Sequence, residues 1–199
     1  MVACYVGQDH VALKFRKYEM TLREYINDYR DPLMLGEIFV NIINGVKELH
    51  EMGYIHRDLK PDNVVLSQRP LRVLVIDFNR ATSTSIMTKG SVRGTPGYFP
   101  MREEWRNGSD KWDTWALAAM ILEADMNKEE YFRCFSEIDT KNRARKHLER
   151  EGVSKKLKQL IDLVILEPTK DVKITIEQMM ILVKRLKFKT WGYDKETKE

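Results

Sequence analysis

Asp58, Lys60, Asn63 and Asp77 are the residues of this chain best suited to do chemistry. The first three lie in the run His56-Arg57-Asp58-Leu59-Lys60-Pro61-Asp62-Asn63, and Asp77 heads Asp77-Phe78-Asn79 fourteen positions after Asn63. A carboxylate, an ammonium, an amide and a second carboxylate on two loops can align a hydroxyl with a metal-bound triphosphate. Asp58 is the candidate base, because a carboxylate within hydrogen-bonding reach of a hydroxyl orients it and takes its proton. Lys60 would place a positive charge beside the transferred group and neutralise the charge developing there. Asn63 and Asp77 offer oxygen donors, which a hard cation such as Mg2+ takes while keeping several waters. Two such donors are a weak site until phosphate oxygens join them, so metal and nucleotide should bind together. The bland alternative is a solvated turn rich in charge. Against it stands the strand-like run Val73-Leu74-Val75-Ile76 that delivers Asp77.

The elements that must position these side chains can be read from periodicity and end signals. Val2 to Val6 and Val11 to Phe15 are rich in β-branched and aromatic residues, with Gly7-Gln8-Asp9-His10 as a hairpin turn between them. Thr21 with Glu24 three positions on is a capping-box pattern and predicts a helix start. From Pro32, Leu35, Ile38, Phe39, Ile42, Ile43, Val46 and Leu49 recur at three- and four-residue steps, predicting a long amphipathic helix that stops near Gly53. Val64-Val65-Leu66 and Val73 to Ile76 predict a second small hairpin. After Asn79 periodicity is lost for about two dozen residues, a length that is usually functional or disordered. Helical patterning returns at Asp110 with Trp112, Trp115, Ala116, Ala119 and Leu122. Further helices are expected over 128–135, 156–166 and 175–186, the last with its own capping box, Thr175 with Gln178.

Composition bounds the function. The 199 residues suit one domain, or a two-lobed domain reduced in size, and 43% hydrophobic content suffices for an ordinary core. The net charge of +4 gives no reason to expect a nucleic-acid partner. The C-terminal cluster Lys184, Arg185, Lys187 and Lys189 reads as a solvated helix face. Cys4 and Cys134 form neither a disulfide framework nor a metal-ligand pattern, which fits a reducing compartment. No apolar run approaches the roughly 18 residues of a membrane span, and no signal-peptide pattern opens the chain. A cytoplasmic or otherwise intracellular protein without a membrane partner is therefore expected.

The two motifs together resemble the catalytic loop and metal-binding loop of eukaryotic-type protein kinases, whose signature is H-R-D-L-x-x-x-N followed by D-F-G. The resemblance covers roughly residues 2–187. It implies an α+β, mainly helical fold: the kinase C-lobe with short β hairpins and a vestigial N-lobe and hinge segment. Residues 1–20 would be remnant strands and hinge, 21–187 the C-lobe and 188–199 a flexible tail. The resemblance assigns Asp58 as base, Lys60 as the phosphate-facing cation typical of the serine/threonine branch, and Asn63 and Asp77 as magnesium ligands. His56 would pack beneath the metal-binding loop, and Arg57 would pair with a phosphorylated residue of the activation segment. Thr82, Ser83, Thr84, Ser85, Thr88 and Ser91 lie in that segment, as acceptors of such a phosphate or as plain solubility. Gly94-Thr95-Pro96-Gly97-Tyr98 resembles the end of the segment, where Thr95 would bridge Asp58 and Lys60. Asp113 beside Trp115 resembles the buried aspartate that holds the catalytic-loop backbone.

Three departures stand against this likeness. No G-x-G-x-x-G occurs, no strand lysine with a paired helix glutamate can be found, and Lys14 sits in a strand but in the wrong place. The third residue of D-F-G is Asn79, and asparagine is the non-glycine residue most tolerant of left-handed angles. The Ala-Pro-Glu motif reads Phe99-Pro100-Met101, and Lys173 stands nearest the place of the arginine that its glutamate would pair with. Changing both members avoids a buried charge without a partner. The implied function is transfer of the ATP γ-phosphate to serine or threonine of a protein substrate, with ATP and Mg2+ as cofactors. The alternative is a non-catalytic truncated kinase, a decoy or inhibitor that binds a full-length kinase or its substrate. An upstream glycine-rich loop would favour the enzyme, and a true start at Met1 the decoy. On either reading, the face bearing the catalytic loop should be exposed and apolar, unless the N-terminus covers it.

Overall fold

The computed structural model describes residues 3–85, 94–100, 110–126, 136–166 and 174–188. Strands β1 (Ala3–Val6) and β2 (Val11–Lys14) pair antiparallel with Val6 opposite Val11, and Gly7 N–H donates to His10 O at 2.8 Å across the turn. This is the hairpin expected from the pattern. Its described side chains are almost all exposed, Tyr5 and Val6 among them.

Strand β3 (Met20–Thr21) leads into helix α1 (Leu22–Asp28) through the expected capping box, in which Thr21 and Glu24 each receive a backbone N–H of the other. Helix α2 (Pro32–Glu51) begins with proline, whose missing N–H costs nothing in the first turn. Asp31 Oδ1 there accepts from the N–H groups of Leu33 and Met34 at 2.9 and 3.4 Å. The predicted apolar stripe is buried from Leu35 to Val46, and Gly53 ends the helix at φ 79°, an angle that favours glycine.

Strand β4 (Tyr54–Ile55) then enters the His56–Asn63 loop, which closes with a single 3-10 turn over Pro61–Asn63. Strands β5 (Val64–Gln68) and β6 (Leu71–Val75) form the second expected hairpin, with Val64 opposite Val75, and β3 pairs with the other edge of β5. Beyond Asp77, strand β7 (Thr82–Ser83) pairs with β4, with Ile55 opposite Thr82. The β4–β7 pairing was not expected, since two-residue strands carry no readable periodicity.

Helix α3 (Lys111–Asp125) is buried on every side from Trp112 onward, as a central helix must be, and it packs against α2. Helix α4 (Glu137–Leu148) has no counterpart in the sequence expectations. Its buried face is Thr140, Ala144, His147 and Leu148, correctly spaced for a helix but too polar to stand out. Helix α5 (Lys155–Ile161) runs into a π turn over Asp162–Leu166 and covers the expected 156–166 helix. Helix α6 (Ile176–Val183) starts from Thr175 with the expected capping box. The helix expected over 128–135 lies outside the described residues. Phe188, where a flexible tail was expected to begin, is buried and stacks on Phe39 with ring centroids 5.6 Å apart. Lys184, Arg185 and Lys187 are exposed, as a solvated face requires.

The result is an α+β, mainly helical architecture in which α2 and α3 carry the core and, among the described residues, three small antiparallel sheets edge it. No helix among the described residues is long and apolar enough to cross a membrane.

Candidate active site

The His56–Asn63 loop is anchored chiefly by one buried carboxylate. Asp113, fully buried in the first turn of α3, accepts from the backbone N–H groups of His56 at 2.8 Å and Arg57 at 2.9 Å. His50 Nε2, at the end of α2, lies 2.9 Å from the same carboxylate. These bonds matter because Arg57 sits at φ 65°, a left-handed conformation that costs a non-glycine residue roughly 1–2 kcal/mol. Fixing both adjacent N–H groups to a buried carboxylate offsets that strain. Trp112 adds a third tie by donating from Nε1 to Arg57 O at 3.1 Å, and the Arg57 guanidinium lies over its ring at 5.5 Å. Asp113 thus has the place that the resemblance gave it.

Above this anchor, Asp58 is 8% exposed, and its carboxylate meets four groups. Thr95 Oγ1 donates to Oδ1 at 2.9 Å, and Lys60 Nζ donates to Thr95 Oγ1 at 3.1 Å, which is the expected bridge. Lys60 Nζ also lies 3.6 Å from Oδ2, and Asn63 Nδ2 3.4 Å from it. Asn63 Nδ2 donates to Asp58 O at 2.8 Å, which orients the amide. The fourth group, Arg80 Nη1, stands 3.8 Å from Oδ1 and was not anticipated from the sequence.

The β5–β6 register sets the second acidic group. Val64 opposite Val75 puts Asn63 opposite Ile76, whose N–H donates to Asn63 O at 2.9 Å, so Asp77 leaves the same end of the hairpin as Asn63. Asp77 is exposed and left-handed at φ 65°. Asn79 does not take a positive φ, so the left-handed tolerance ascribed to it belongs to the aspartate two residues earlier. His56 packs beneath this segment as expected, with its ring 4.9 Å from that of Phe78 and Nε2 3.1 Å from Ile76 O. Among the described residues no three acidic, histidine or cysteine side chains converge to hold a metal. Two oxygen donors at one hairpin end, one amide pre-oriented and one carboxylate exposed, suit a cation completed by phosphate oxygens.

Beside Asp77 opens a cleft of about 620 Å³ whose walls include Phe15, Tyr18, Met20, Val65, Leu74 and Phe78. This volume and apolar lining suit a small planar ligand. Phe15, Leu74 and Phe78 are exposed, so the predicted open apolar face is present, and the β1–β2 hairpin does not cover it.

The segment 94–100 is tied to the helices by a cluster that the sequence reading missed. Tyr98 donates its hydroxyl to Glu123 Oε2 at 2.5 Å, Arg23 donates to Tyr98 at 2.8 Å, and Arg23 also pairs with Glu123 and with Asp62. Burial alone would push the Arg23 guanidinium down, but Tyr98 and Asp62 outweigh it and hold it above its usual range. The available signal was Glu123 itself, a lone acid in the apolar run 115–124. Gly94 has no room for a side chain, since a Cβ there would stand 2.7 Å from the Phe99 ring. Phe99 stacks on Trp112 at 5.7 Å, while Met101 and Lys173 lie outside the described residues, as do Thr88 and Ser91 of the segment's hydroxyls.

Residues 3–182 match the protein kinase domain family. The chain is 31% identical over 100 residues to the cytokinesis protein sepH of Aspergillus niger, which is 50% of this chain and 7% of that protein. It is 36% identical over 77 residues to the eukaryotic translation initiation factor 2-alpha kinase gcn-2 of Caenorhabditis elegans, 37% of this chain and 4% of that one. Against the serine/threonine-protein kinase PknA of a Nostoc species the identity is 35% over 75 residues, 34% of this chain and 13% of the relative. The chain therefore spans only a small fraction of these relatives' length.

Proposed function

Because the chain belongs to the protein kinase family, we propose that it transfers the γ-phosphate of ATP to a serine or threonine hydroxyl of a protein substrate. The acceptor hydroxyl donates to Asp58, its oxygen bonds to the γ-phosphorus, the bond to the β–γ bridging oxygen breaks, and the proton passes to the Asp58 carboxylate. Lys60 faces the transferring group, and Thr95 holds Lys60 and Asp58 in register. Asn63 and Asp77, together with phosphate oxygens, would hold a magnesium ion, which would supply charge neutralisation at the triphosphate. The apolar cleft beside Asp77 takes the adenine ring. The observation that carries this reading is the Asp58–Thr95–Lys60 bridge. It brings a carboxylate, a hydroxyl and an ammonium together at the proposed meeting point of acceptor and phosphate. The thiol content of the chain fits an intracellular setting for this chemistry.

A second reading, a non-catalytic kinase-like protein that binds a full-length kinase or its substrate, draws support from the open apolar face at Phe15, Leu74 and Phe78. Calorimetry of ATP with and without magnesium, on the wild type and Asp77→Asn, separates the two. Asparagine keeps the left-handed backbone and removes the charge. Magnesium-dependent binding lost in the variant, followed by phosphate transfer to a serine peptide that Asp58→Asn lowers by about 10²–10⁴-fold, supports the enzyme. No binding up to millimolar ATP would sink it and leave the binding protein.

A further inference from the structure

The end of α2 far from the His56–Asn63 loop carries a groove that the proposed chemistry does not use. It has a volume of about 630 Å³ and lies where the first turns of α2 meet the end of α6. Leu33, Gly36 and Val40 line it from α2, and Val183, Leu186 and Phe188 line it from α6 and the residues that follow. Leu33 is 86% exposed. One turn further along α2, a Cβ at Gly36 would meet no described heavy atom within 4 Å, so the groove reaches the helix backbone there. A flat ring can lie against bare backbone where a branched side chain would stand off it.

We propose that this groove is the docking site of Trp191, from the chain's own C-terminal segment. The path of the chain argues for it. Phe188 is 5% exposed and stacks on Phe39 of α2, so the backbone that follows leaves from a wall of the groove itself. Trp191 comes three residues later, in Lys189-Thr190-Trp191-Gly192-Tyr193. Three extended residues span at most about 10 Å, which keeps the indole within reach of the groove. An indole suits the lining on two counts. Seating it removes a large, flat apolar surface from water, and its N–H needs an acceptor. Glu37 and Asn41 line the same groove, and Asn41 Nδ2 already donates to Glu37 O at 2.8 Å, which leaves the amide oxygen to accept from the indole. The short tether makes the encounter intramolecular, at an effective concentration on the order of millimolar, so a weak intrinsic affinity suffices to keep the groove filled. A separate partner at this face would first have to displace Trp191.

The test is fluorine NMR of the full chain labelled with 5-fluorotryptophan, which does not depend on nucleotide binding or phosphate transfer. The chain has four tryptophans, and the resonance missing from Trp191→Phe is that of Trp191. In the wild type it should be displaced from its position in the urea-denatured protein, by an amount independent of protein concentration. Gly36→Leu, which places a side chain in the groove, should return it to the denatured position and leave the other tryptophan resonances where they are. Leu33→Ser, at an 86% exposed side chain, should move it the same way by less, and decides the matter if Gly36→Leu disturbs the other resonances. A wild-type Trp191 resonance at the denatured position, or a displaced one that neither variant moves, overturns the proposal. So does a displacement that grows with protein concentration, which would seat Trp191 in the groove of a second copy.

Discussion

The His56–Asn63 loop and the β1–β2 hairpin are both short backbone segments, and they are held in opposite ways. The loop contains a left-handed arginine, yet its backbone N–H groups, its flanking rings and its acidic tip are all tied to other elements, chiefly through Asp113. The hairpin contains no strained residue and has the sequence pattern of a good strand pair, yet its described side chains are almost all exposed. One segment is unfavourable locally and over-determined by tertiary bonds; the other is favourable locally and bonded almost only to itself. An isolated two-stranded hairpin is marginal in water, so little global stability should reside there. The geometry of the candidate base's loop, by contrast, depends on a side chain 56 and 57 residues away in sequence from the N–H groups it holds.

The sharpest way to break that contrast is Asp113→Ala. It leaves one buried and one partly buried N–H group, and His50, without their acceptor, and should cost about 3–4 kcal/mol, read from the urea midpoint. Tyr5→Ser in the hairpin, at a side chain 57% exposed, should change stability by less than about 0.5 kcal/mol in the same experiment. If the two variants are equally destabilised, the contrast is wrong.

A smaller effect is expected on the open face. Leu74→Lys puts a charge into the apolar cleft wall at a position 38% exposed. Binding of a hydrophobic dye should fall while the urea midpoint stays nearly constant. Unchanged dye binding would mean that the apolar surface lies elsewhere.

The smallest effect concerns the cap that starts α1. Glu24 accepts from the Thr21 N–H at 2.7 Å and from its hydroxyl at 3.0 Å, and these bonds hold its carboxyl below the ordinary value. A folded-state value below the unfolded one stabilises at pH above the unfolded value, and that contribution is lost as pH falls through the folded one. Glu24→Gln should therefore flatten the acid side of the stability–pH curve slightly and leave neutral pH little changed. A steeper acid limb in the variant would show that the cap is not the titrating element.

Much of the fold could be read before any coordinates. Helix α2 was legible because its apolar residues repeat at helical spacing between Asp31-Pro32 and Gly53, and α1 and α6 because their capping boxes are local bonds between residues three apart. Helix α4 escaped because its inward face mixes Thr140 and His147 with Ala144 and Leu148, leaving too few apolar residues at helical spacing to stand out. The β4–β7 pairing and the attachment of β3 to β5 escaped because two-residue strands take their pairing from neighbours distant in sequence. The candidate site divides in the same way. Asp58, Lys60, Asn63, Asp77, Thr95 and Asp113 could be named because their order and spacing form a signature. Arg80, Arg23, Glu123 and the left-handed angle at Asp77 could not, since each depends on where a turn points a side chain or twists a backbone.

By itself, then, the sequence determined the element types and the capped helix starts, which rest on contacts between residues close along the chain, and the candidate site residues, which rest on residue types in a signature order. Only the tertiary structure decided that Asp113 holds the loop, that Thr95 joins Asp58 to Lys60, and that Arg80 stands beside Asp58. Those are hydrogen bonds and ion pairs between groups 22 to 57 residues apart, and their partners are selected by the packing of α3 and the return of the chain after Asp77.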